Sequence, residues 1–329
     1  MNIGKVPNDL LEKLVFNNIK NKRDEVLVKA AIGEDNAIVD FGEEVCVLST
    51  DPITGTTEEI GSLAIYVSCN DIASSGAEPI GVLLTILLPP SATEEDLDTI
   101  MKDAGRASKE LNVEIIGGHT EVTDAVNRIV ISATALGKMK KKNMLDSTRI
   151  KVGDKILMTK YAGIEGTSII AKEKKDYLRD KLGEEKLREA IEMGKLATVL
   201  KEGIILGKMG VGYMHDITEG GVLGAVWEAS EAINKGVKIY EDLIPMKEVT
   251  KEIARILNID PYRLISSGSM LVIADKDKVD FIKERLRKEN IDISVIGEVV
   301  EKGRMIYRGD KAEEIPPPGN DELYRALSQ

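Results

Sequence analysis

The 329-residue sequence holds few of the side chains that most often carry out chemistry. It has two histidines and two cysteines. Cys46 and Cys69 lie in apolar stretches without CxxC spacing, which argues against a disulfide framework or a zinc site and favours buried free thiols. No apolar run approaches the roughly 20 residues that cross a bilayer. The N-terminus carries acids in an amphipathic pattern and is not a secretory signal, so we expect a cytoplasmic protein with no membrane partner.

Positively charged residues are also fewer than negatively charged ones. The chain has 45 Lys and Arg against 56 Asp and Glu, a formal net charge of -11. This balance argues against a nucleic-acid or membrane-surface partner, since both are anionic. A phosphate ligand would therefore need a local metal ion or backbone N–H groups. The GxxxxGK[ST] loop that often supplies such groups is missing from the sequence.

The length favours two domains, each large enough for its own core. Strand and helix patterns are mixed along the chain, which predicts an α/β (α+β) fold. A polar, basic stretch lies between about 140 and 153, and a fresh strand pattern follows it. We therefore predict an N-terminal domain over 1–150 and a C-terminal domain over 151–329.

One of the two histidines, His119, lies in EIIGGHTEVTD. Gly117 and Gly118 are predicted at the end of a strand, where the lack of side chains lets backbone N–H groups approach a ligand. A glycine pair alone is a weak phosphate signal. For His119 itself, a hydrogen-bonded turn histidine is the simplest alternative to a functional role.

The other histidine, His215, lies in GYMHDITEGG. Thr218 can cap a helix whose first turn holds Gly220 and Gly221, and such a helix start favours anions. Asp216 could reach a metal ion that bridges those phosphates. Metal ligation by either histidine has little support, and contact with phosphate or orientation of an acid is preferred.

Acidic residues recur where strands begin or end. Asp35 precedes a strand pattern, and Asp51 follows the strand predicted over 45–49. Either residue alone is explained equally well by ordinary turn chemistry.

A further acid is predicted on a helix. In the helix predicted over 58–77, Ala64, Val67 and Asp71 share one face. A carboxylate on an apolar face must be paired or bind a cation, because an isolated buried charge is costly. Asn70 beside it offers a second oxygen. The recurrence of such carboxylates fits Mg²⁺ held by hard oxygen ligands and shared with substrate phosphates.

These segments together resemble a known family. GEDNAIV, LSTDPITG, SCNDIASSGAEP, IGGHTEVTD and MHDITEGGVLGAVWE resemble, in this order, the ATP-binding superfamily of aminoimidazole ribonucleotide (AIR) synthase, with its PurM-like fold. The superfamily includes selenophosphate synthetase, thiamine-monophosphate kinase and the hydrogenase-maturation protein HypE. The likeness covers nearly the whole chain, and GKVPNDLLEKLVF and HDITEGG look most like HypE.

The resemblance implies two α/β domains, the first pairing across a homodimer, with ATP and Mg²⁺ bound between domains. It implies metal contacts from Asp35, Asp51, Asp71 and Asp216, and nucleotide contacts from Asp51, Asn70, Gly117, Gly118, Thr120 and His215. Asp71, Asp216 and His119 are the residues that we expect to be catalytic.

The chain also departs from HypE, which ends in a cysteine that receives a carbamoyl group, whereas this sequence ends IPPPGNDELYRALSQ. Neither Cys46 nor Cys69 can take that role. We expect a HypE-like enzyme that uses Mg-ATP to activate an amide-type or related oxygen by phosphoryl transfer, in metalloenzyme maturation. The acceptor, a small molecule or a protein-bound group, is unidentified. The alternatives are a small-molecule kinase resembling thiamine-monophosphate kinase and a non-catalytic nucleotide-binding partner protein.

Overall fold

The structure, a computed structural model, describes residues 6–32, 34–53 and 59–329. Two mixed sheets with packed helices make up these residues, which confirms the α/β (α+β) class. Gly33 and the predicted helix start at Glu58 lie outside the described residues. The boundary between 150 and 151 stays a prediction, and it falls between the last strand of the first sheet and the first strand of the second.

The first sheet has the strand order β1-β2-β3-β6-β4-β5. Its pairs are antiparallel except β4 with β5, which run parallel. Its strands are β1 (Val26–Val28), β2 (Ala37–Asp40), β3 (Glu44–Ile53), β4 (Glu78–Leu88), β5 (Glu114–Val122) and β6 (Val130–Lys140). Helix α1 (Asn8–Leu14) precedes this sheet in the chain, and α2 (Ile60–Ser74) and α3 (Glu94–Leu111) belong to the same half of the molecule. β5 is an edge strand, so one side of its backbone has no neighbour in this sheet.

The second sheet has the strand order β13-β12-β9-β11-β7-β10-β8. Only β12 and β9 pair in parallel. Its strands are β7 (Lys155–Thr159), β8 (Tyr213–Ile217), β9 (Gly236–Tyr240), β10 (Ser269–Ala274), β11 (Ile293–Val300), β12 (Arg304–Arg308) and β13 (Lys311–Glu314). Its helices are α4 (Ile164–Glu173), α5 (Lys175–Leu182), α6 (Glu184–Glu192), α7 (Leu200–Met209), α8 (Gly221–Ile233), α9 (Glu248–Ile256), α10 (Val279–Arg287) and α11 (Glu322–Leu327). Short 3₁₀ turns join several of these elements.

Helix α2 connects the two halves of the molecule. It is buried on nearly all faces because it packs on β3, β6 and α3 and also against α7 and β8. The contact with α7 is close: a Cβ at Gly203 would lie 2.3 Å from the carbonyl oxygen of Ala73. β8 is the edge strand of the second sheet, and all five of its residues are buried. The packing of α2 against β8 therefore brings side chains of both sheets together.

Three local predictions were wrong. Asp51 lies inside β3, which continues to Ile53, rather than after a strand that ends at residue 49. Gly117 and Gly118 lie inside β5 rather than at a strand end, because the strand continues to Val122. Gly118 has φ +145°, and a Cβ there would come within 1.8 Å of the carbonyl oxygen of Leu84 on the neighbouring strand, so strand packing explains this glycine. Helix α8 is capped by Gly220, not Thr218. No helix in the described ranges has the length and apolar character of a membrane span.

Candidate functional site

A cleft of about 730 Å³ lies between the two halves of the molecule. The first half contributes Glu34, Asp35, Thr50, Asp51, Pro52, Ile53, Leu63, Val67, Asp71 and Arg128 to its lining. The second half contributes Glu165, Ile169, Thr218, Glu219, Ile265, Ser267, Asp321, Leu323, Tyr324 and Leu327. Its volume falls in the range of about 300–1,000 Å³ that is typical of small-molecule sites.

Four carboxylates from four separate segments come together at this cleft: Asp35, Asp51 and Asp71 line it, and the buried Asp216 lies close enough for their charges to affect one another. Asp35 precedes β2, Asp51 lies in β3, Asp71 lies in α2 and Asp216 lies in β8. Asp71 accepts a hydrogen bond from the Ser49 hydroxyl. We call these four residues the acid cluster. Sequence patterning pointed to each of them separately, and the packing of α2 on β3 and β8 brings them together.

Without a bound cation, the neighbouring carboxylates of the acid cluster repel one another when they ionise. Burial raises the pKa of Asp71 well above its usual value, and the charges of Asp216 and Asp51, a hydrogen bond shared with Asp51, and Asp35 raise it further. Burial, with the charge of Asp35, also raises the pKa of Asp216 to about 7, although the charge of His215 opposes this. Like charges in a low-dielectric site cannot all ionise without a counter-charge.

His215 links the acid cluster to α8. Its Nδ1 lies 2.5 Å from an Asp35 oxygen, and its Nε2 lies 3.0 Å from an oxygen of Glu228. Burial alone would lower the pKa of His215, but the hydrogen-bonded carboxylates of Asp35 and Glu228 outweigh it and raise that pKa well above its usual value. Both ring nitrogens thus face carboxylate oxygens, an arrangement that favours the protonated imidazole, and the contact orients Asp35.

The acid cluster fits a hard divalent cation. Ligand atoms of Asp35, His215 and Asp216 all lie within 4.8 Å of one another. Asp216 is 1% exposed, and neither of its carboxylate oxygens has a hydrogen-bond partner among the described residues. Such buried, unpaired oxygens are the ligands that Mg²⁺ prefers. Because both ring nitrogens of His215 already face carboxylates, the carboxylates are better ligands than His215.

The sequence indicated an anion site at the start of α8. In the structure the Asp321 carboxylate of the same chain lies there. The Gly220 N–H donates to Asp321 at 2.7 Å, and the N–H groups of Ile265 and Leu323 donate to the other oxygen of Asp321 at 3.2 and 2.8 Å. Asp321 precedes α11 and so anchors the C-terminal helix against the cleft. Sequence reasoning missed Asp321, although Asp is a typical N-cap residue.

Asn70 lies apart from the acid cluster. It is fully buried, its amide nitrogen donates to the Ala197 carbonyl at 2.8 Å, and its oxygen accepts from the Val199 N–H at 2.8 Å. Both polar ends of Asn70 are engaged with the segment before α7, and Asn70 is not among the residues that line the cleft. Its role is to join α2 to the segment before α7, which fixes the position of its neighbour Asp71.

The residues of the EIIGGHTEVTD segment also lie elsewhere. Gly117, Gly118, His119 and Thr120 are exposed on β5, and none of them lines the cleft described above. His119 contacts only a nearby acid in the described part of the chain, with Nε2 lying 2.9 Å from Glu121. Within one copy of the chain, His119 is therefore separate from the acid cluster, and its predicted roles stay predictions.

Fold and site together define a two-domain protein with a carboxylate-lined cleft between the domains. Residues 33–139 match the family described as AIR synthase related protein, N-terminal domain, and residues 151–310 match the corresponding C-terminal domain. The chain belongs to the AIR synthase related family, as the sequence motifs predicted.

Several relatives show where in this family the similarity lies. A Methanocaldococcus jannaschii protein, provisionally assigned as a hydrogenase expression/formation protein, is 30% identical to this chain. The match covers 87% of this chain and 84% of that protein. Carbamoyl dehydratase HypE of Bradyrhizobium diazoefficiens is 25% identical over 82% and 79%. Thiamine-monophosphate kinase of Pyrococcus horikoshii is 27% identical over 89% and 91%. The predicted likeness to HypE is confirmed, and a kinase is also among the relatives.

Two solved structures show the same fold. A HypE–HypF complex contains a chain of 24% identity with a TM-score of 0.77, covering 94% of this chain and 99% of its own. A HypE structure in complex with ATP is 20% identical with a TM-score of 0.73, covering 98% and 97%. At these identities the likeness establishes the PurM-like fold.

Proposed function

We propose that this chain binds Mg-ATP in the cleft and transfers a phosphoryl group to an oxygen of an amide-type or related acceptor, as a HypE-like enzyme of hydrogenase maturation. The observation that carries the proposal is the acid cluster, in which buried carboxylates of both halves of the molecule converge without enough positive charge to balance them. The relatives named for hydrogenase expression and the HypE structure with ATP support it.

Each part of the cleft has a defined role in this proposal. Asp35, Asp51, Asp71 and Asp216 would hold Mg²⁺, which in phosphoryl transfer neutralises the charge of the phosphate oxygens. A bound cation would favour the ionised form of Asp71, because it would offset the neighbouring negative charges that raise its pKa.

Groups from other elements complete the phosphate environment. His215 keeps Asp35 aligned. Arg128 is the one positively charged side chain among the described residues of the lining, and the Thr218 hydroxyl lines the same cleft. Both groups are hydrogen-bond donors that suit phosphate oxygens. Catalysis would then depend on positioning and charge neutralisation rather than on a protein nucleophile.

A kinase resembling thiamine-monophosphate kinase is the second candidate. The Pyrococcus horikoshii relative supports it. Neither thiol supports covalent chemistry in the cleft, since Cys69 is fully buried in the first core and Cys46 is not part of the lining. A kinase needs no protein nucleophile.

Phosphorus NMR of Mg-ATP turnover against a panel of acceptors tests the function. ADP formation that depends on a primary amide or thiocarboxamide would support the HypE-like reaction. Phosphate recovered on a stable product would instead support the kinase. Slow ATP turnover that no amide, phosphate ester or thiocarboxamide stimulates would overturn both in favour of a nucleotide-binding partner protein. The exposed-residue variant Asp310→Asn is the matched control for Asp71→Asn, and only Asp71→Asn should abolish turnover.

We also propose that β5 pairs with a second copy of the chain. Eight of its nine residues are exposed, and Ile116 and Val122 are 47% and 66% exposed on this edge strand. An open, apolar strand edge is a template for pairing with another chain. In such a homodimer His119 and Thr120 would lie at the interface. Sedimentation velocity of the wild type and of Val122→Lys tests this: a dimer that the substitution converts to a monomer is expected, and a wild-type monomer would refute it.

A protein partner is a further part of the proposal. The solved HypE–HypF complex supports a maturation partner for this chain as well. Co-purification with a HypF-type protein from the same source would support this partner, and no complex at micromolar concentrations of both proteins would exclude it.

A further inference from the structure

The C-terminal half of the molecule contributes a group of polar residues to the cleft lining. We call it the Glu165 pocket and define it by Glu165, Glu219, Ser267, Asp321 and Tyr324, all of which line the cleft. None of these residues was indicated by the sequence, and none is needed to hold the cation at the acid cluster.

Glu165 is a buried acid with an unused oxygen. It lies in the first turn of α4 and is 6% exposed, and Ser267 lies close enough to lower its pKa slightly against the effect of burial. Its Oε2 has no hydrogen-bond partner within the described ranges. Burial raises the pKa of Glu165 to about 7. Leaving a buried acceptor unpaired is costly, so an unpaired oxygen in a cleft wall indicates a missing donor.

A second unused oxygen lies in the same pocket. Oε1 of Glu219 is buried and has no hydrogen-bond partner among the residues that the structure describes, and the nearby Glu219 carboxylate helps to raise the pKa of Tyr324. Asp321 differs, because three backbone N–H groups satisfy it. The pocket thus offers two open acceptors and an excess of negative charge, with only the exposed Arg128 as a cation in the described lining.

A metal ion fits this pocket poorly. Within the described residues, no trio that includes Glu165 brings its ligand atoms within 4.8 Å of one another, whereas Asp35, His215 and Asp216 do. A cation at Glu165 would therefore lack the pair of closely spaced carboxylates that Asp35 and Asp216 provide at the acid cluster. Two acceptors on separate elements are matched better by an organic group that carries several N–H donors.

We propose that the Glu165 pocket binds the second substrate through a positively charged nitrogen group, of the amidinium or ammonium class, and that Glu165 determines this specificity. The inference rests on the proposed function, since it assigns the acceptor of the phosphoryl group to the part of the cleft that Glu165 lines. The group donates to Oε2 of Glu165 and to Oε1 of Glu219, and the apolar side chains of Leu323 and Ile265 flank the rest of the acceptor.

Saturation-transfer NMR on the full-length protein with three small probes tests the pocket. The probes are acetamidinium, its neutral analogue acetamide and its anionic analogue acetate. Acetamidinium should bind about tenfold more tightly than acetamide, since charge-assisted hydrogen bonds are roughly twice as strong as neutral ones. Acetate should not bind. Glu165→Gln should remove the preference for the cation. Glu173→Gln, an exposed substitution on the same helix, should retain it.

The outcomes separate this inference from the proposed function. Mg-ATP affinity is measured on the same samples, and Glu165→Gln should leave it within about twofold, because Glu165 is no part of the acid cluster. If Mg-ATP binds but acetamidinium shows no preference over acetamide, the pocket assignment is overturned alone. If acetamidinium binds through Glu165 but Mg-ATP does not bind, the pocket stands and the proposed function is overturned. Displacement of acetamidinium by millimolar Mg²⁺ would show a metal site and refute the inference. If Glu165→Gln does not fold, Glu219→Gln serves as the second variant and should weaken the preference.

Discussion

Metal-free protein should lose stability as pH rises, and Asp216→Asn should remove part of that loss. The carboxyl group of Asp216 is buried without a hydrogen-bond partner among the described residues, and its folded-state pKa is raised from 3.8 to about 7. A raised carboxyl pKa means that the folded state holds the proton more tightly than the unfolded state. Ionising the group therefore costs stability progressively from about pH 4 to about pH 7.

The size of the effect follows from that shift. At about 1.4 kcal/mol per pKa unit, a single group that moves from 3.8 to about 7 lowers the free energy of unfolding by roughly 2–3 kcal/mol between pH 5 and pH 8. Asp71 acts in the same direction because its pKa is also raised. Asn cannot ionise, so the variant should lose less stability over this interval by about that amount.

Guanidinium unfolding followed by the fluorescence of the single tryptophan, Trp227, measures this. The buried Trp227 lies in α8, next to Glu228, which contacts His215. Unfolding is compared at pH 5 and pH 8 in EDTA and in Mg²⁺, with the exposed-residue variant Asp310→Asn as the control. Mg²⁺ should stabilise the wild type at pH 8 far more than at pH 5. Equal pH dependence of the wild type and Asp216→Asn in EDTA would refute the electrostatic reasoning.

Three further predictions concern the framework of the site. Asn70→Ala should lower the free energy of unfolding by about 2–4 kcal/mol, because it leaves the Ala197 carbonyl and the Val199 N–H unpaired; a loss below 1 kcal/mol in chemical denaturation would contradict the proposed link between α2 and the segment before α7. Gly118→Ala should lower the melting temperature through its contact with Leu84, whereas Gly105→Ala, which meets nothing within 4 Å, should be neutral or stabilising; equal melting temperatures would contradict the strand-packing explanation. Asp321→Ala should release α11, seen as faster hydrogen exchange over 321–329, and unchanged protection would show that apolar packing alone holds the helix.

The sequence could predict the fold class and the segments of the acid cluster because those signals are local. Helical spacing put Asp71 on a face with Val67, and both residues line the cleft. The place of His119 could not be predicted, since a strand pattern does not show whether a strand is central or at an edge. Glu165 and Asp321 were missed for a related reason. Asp321 is satisfied by Gly220, 101 residues away, and such pairing is set by tertiary packing.

Asn70 shows that residues adjacent in the sequence need not contribute to the same site. The sequence placed it beside Asp71 as a second oxygen ligand, but adjacent helical residues point in different directions. Asp71 faces the cleft, while Asn70 faces the segment before α7. The different directions of these two side chains could have been predicted from helical geometry alone.

Calorimetric titration of ATP into the wild type and Asp71→Asn tests the central claim most directly. If the acid cluster holds the cation that binds the nucleotide, the wild type binds ATP in Mg²⁺ and loses this binding in EDTA. Asp71→Asn, with its fold confirmed by circular dichroism, should then bind Mg-ATP about a hundredfold more weakly or not at all. Equal Mg-ATP affinity of the two proteins would contradict the account.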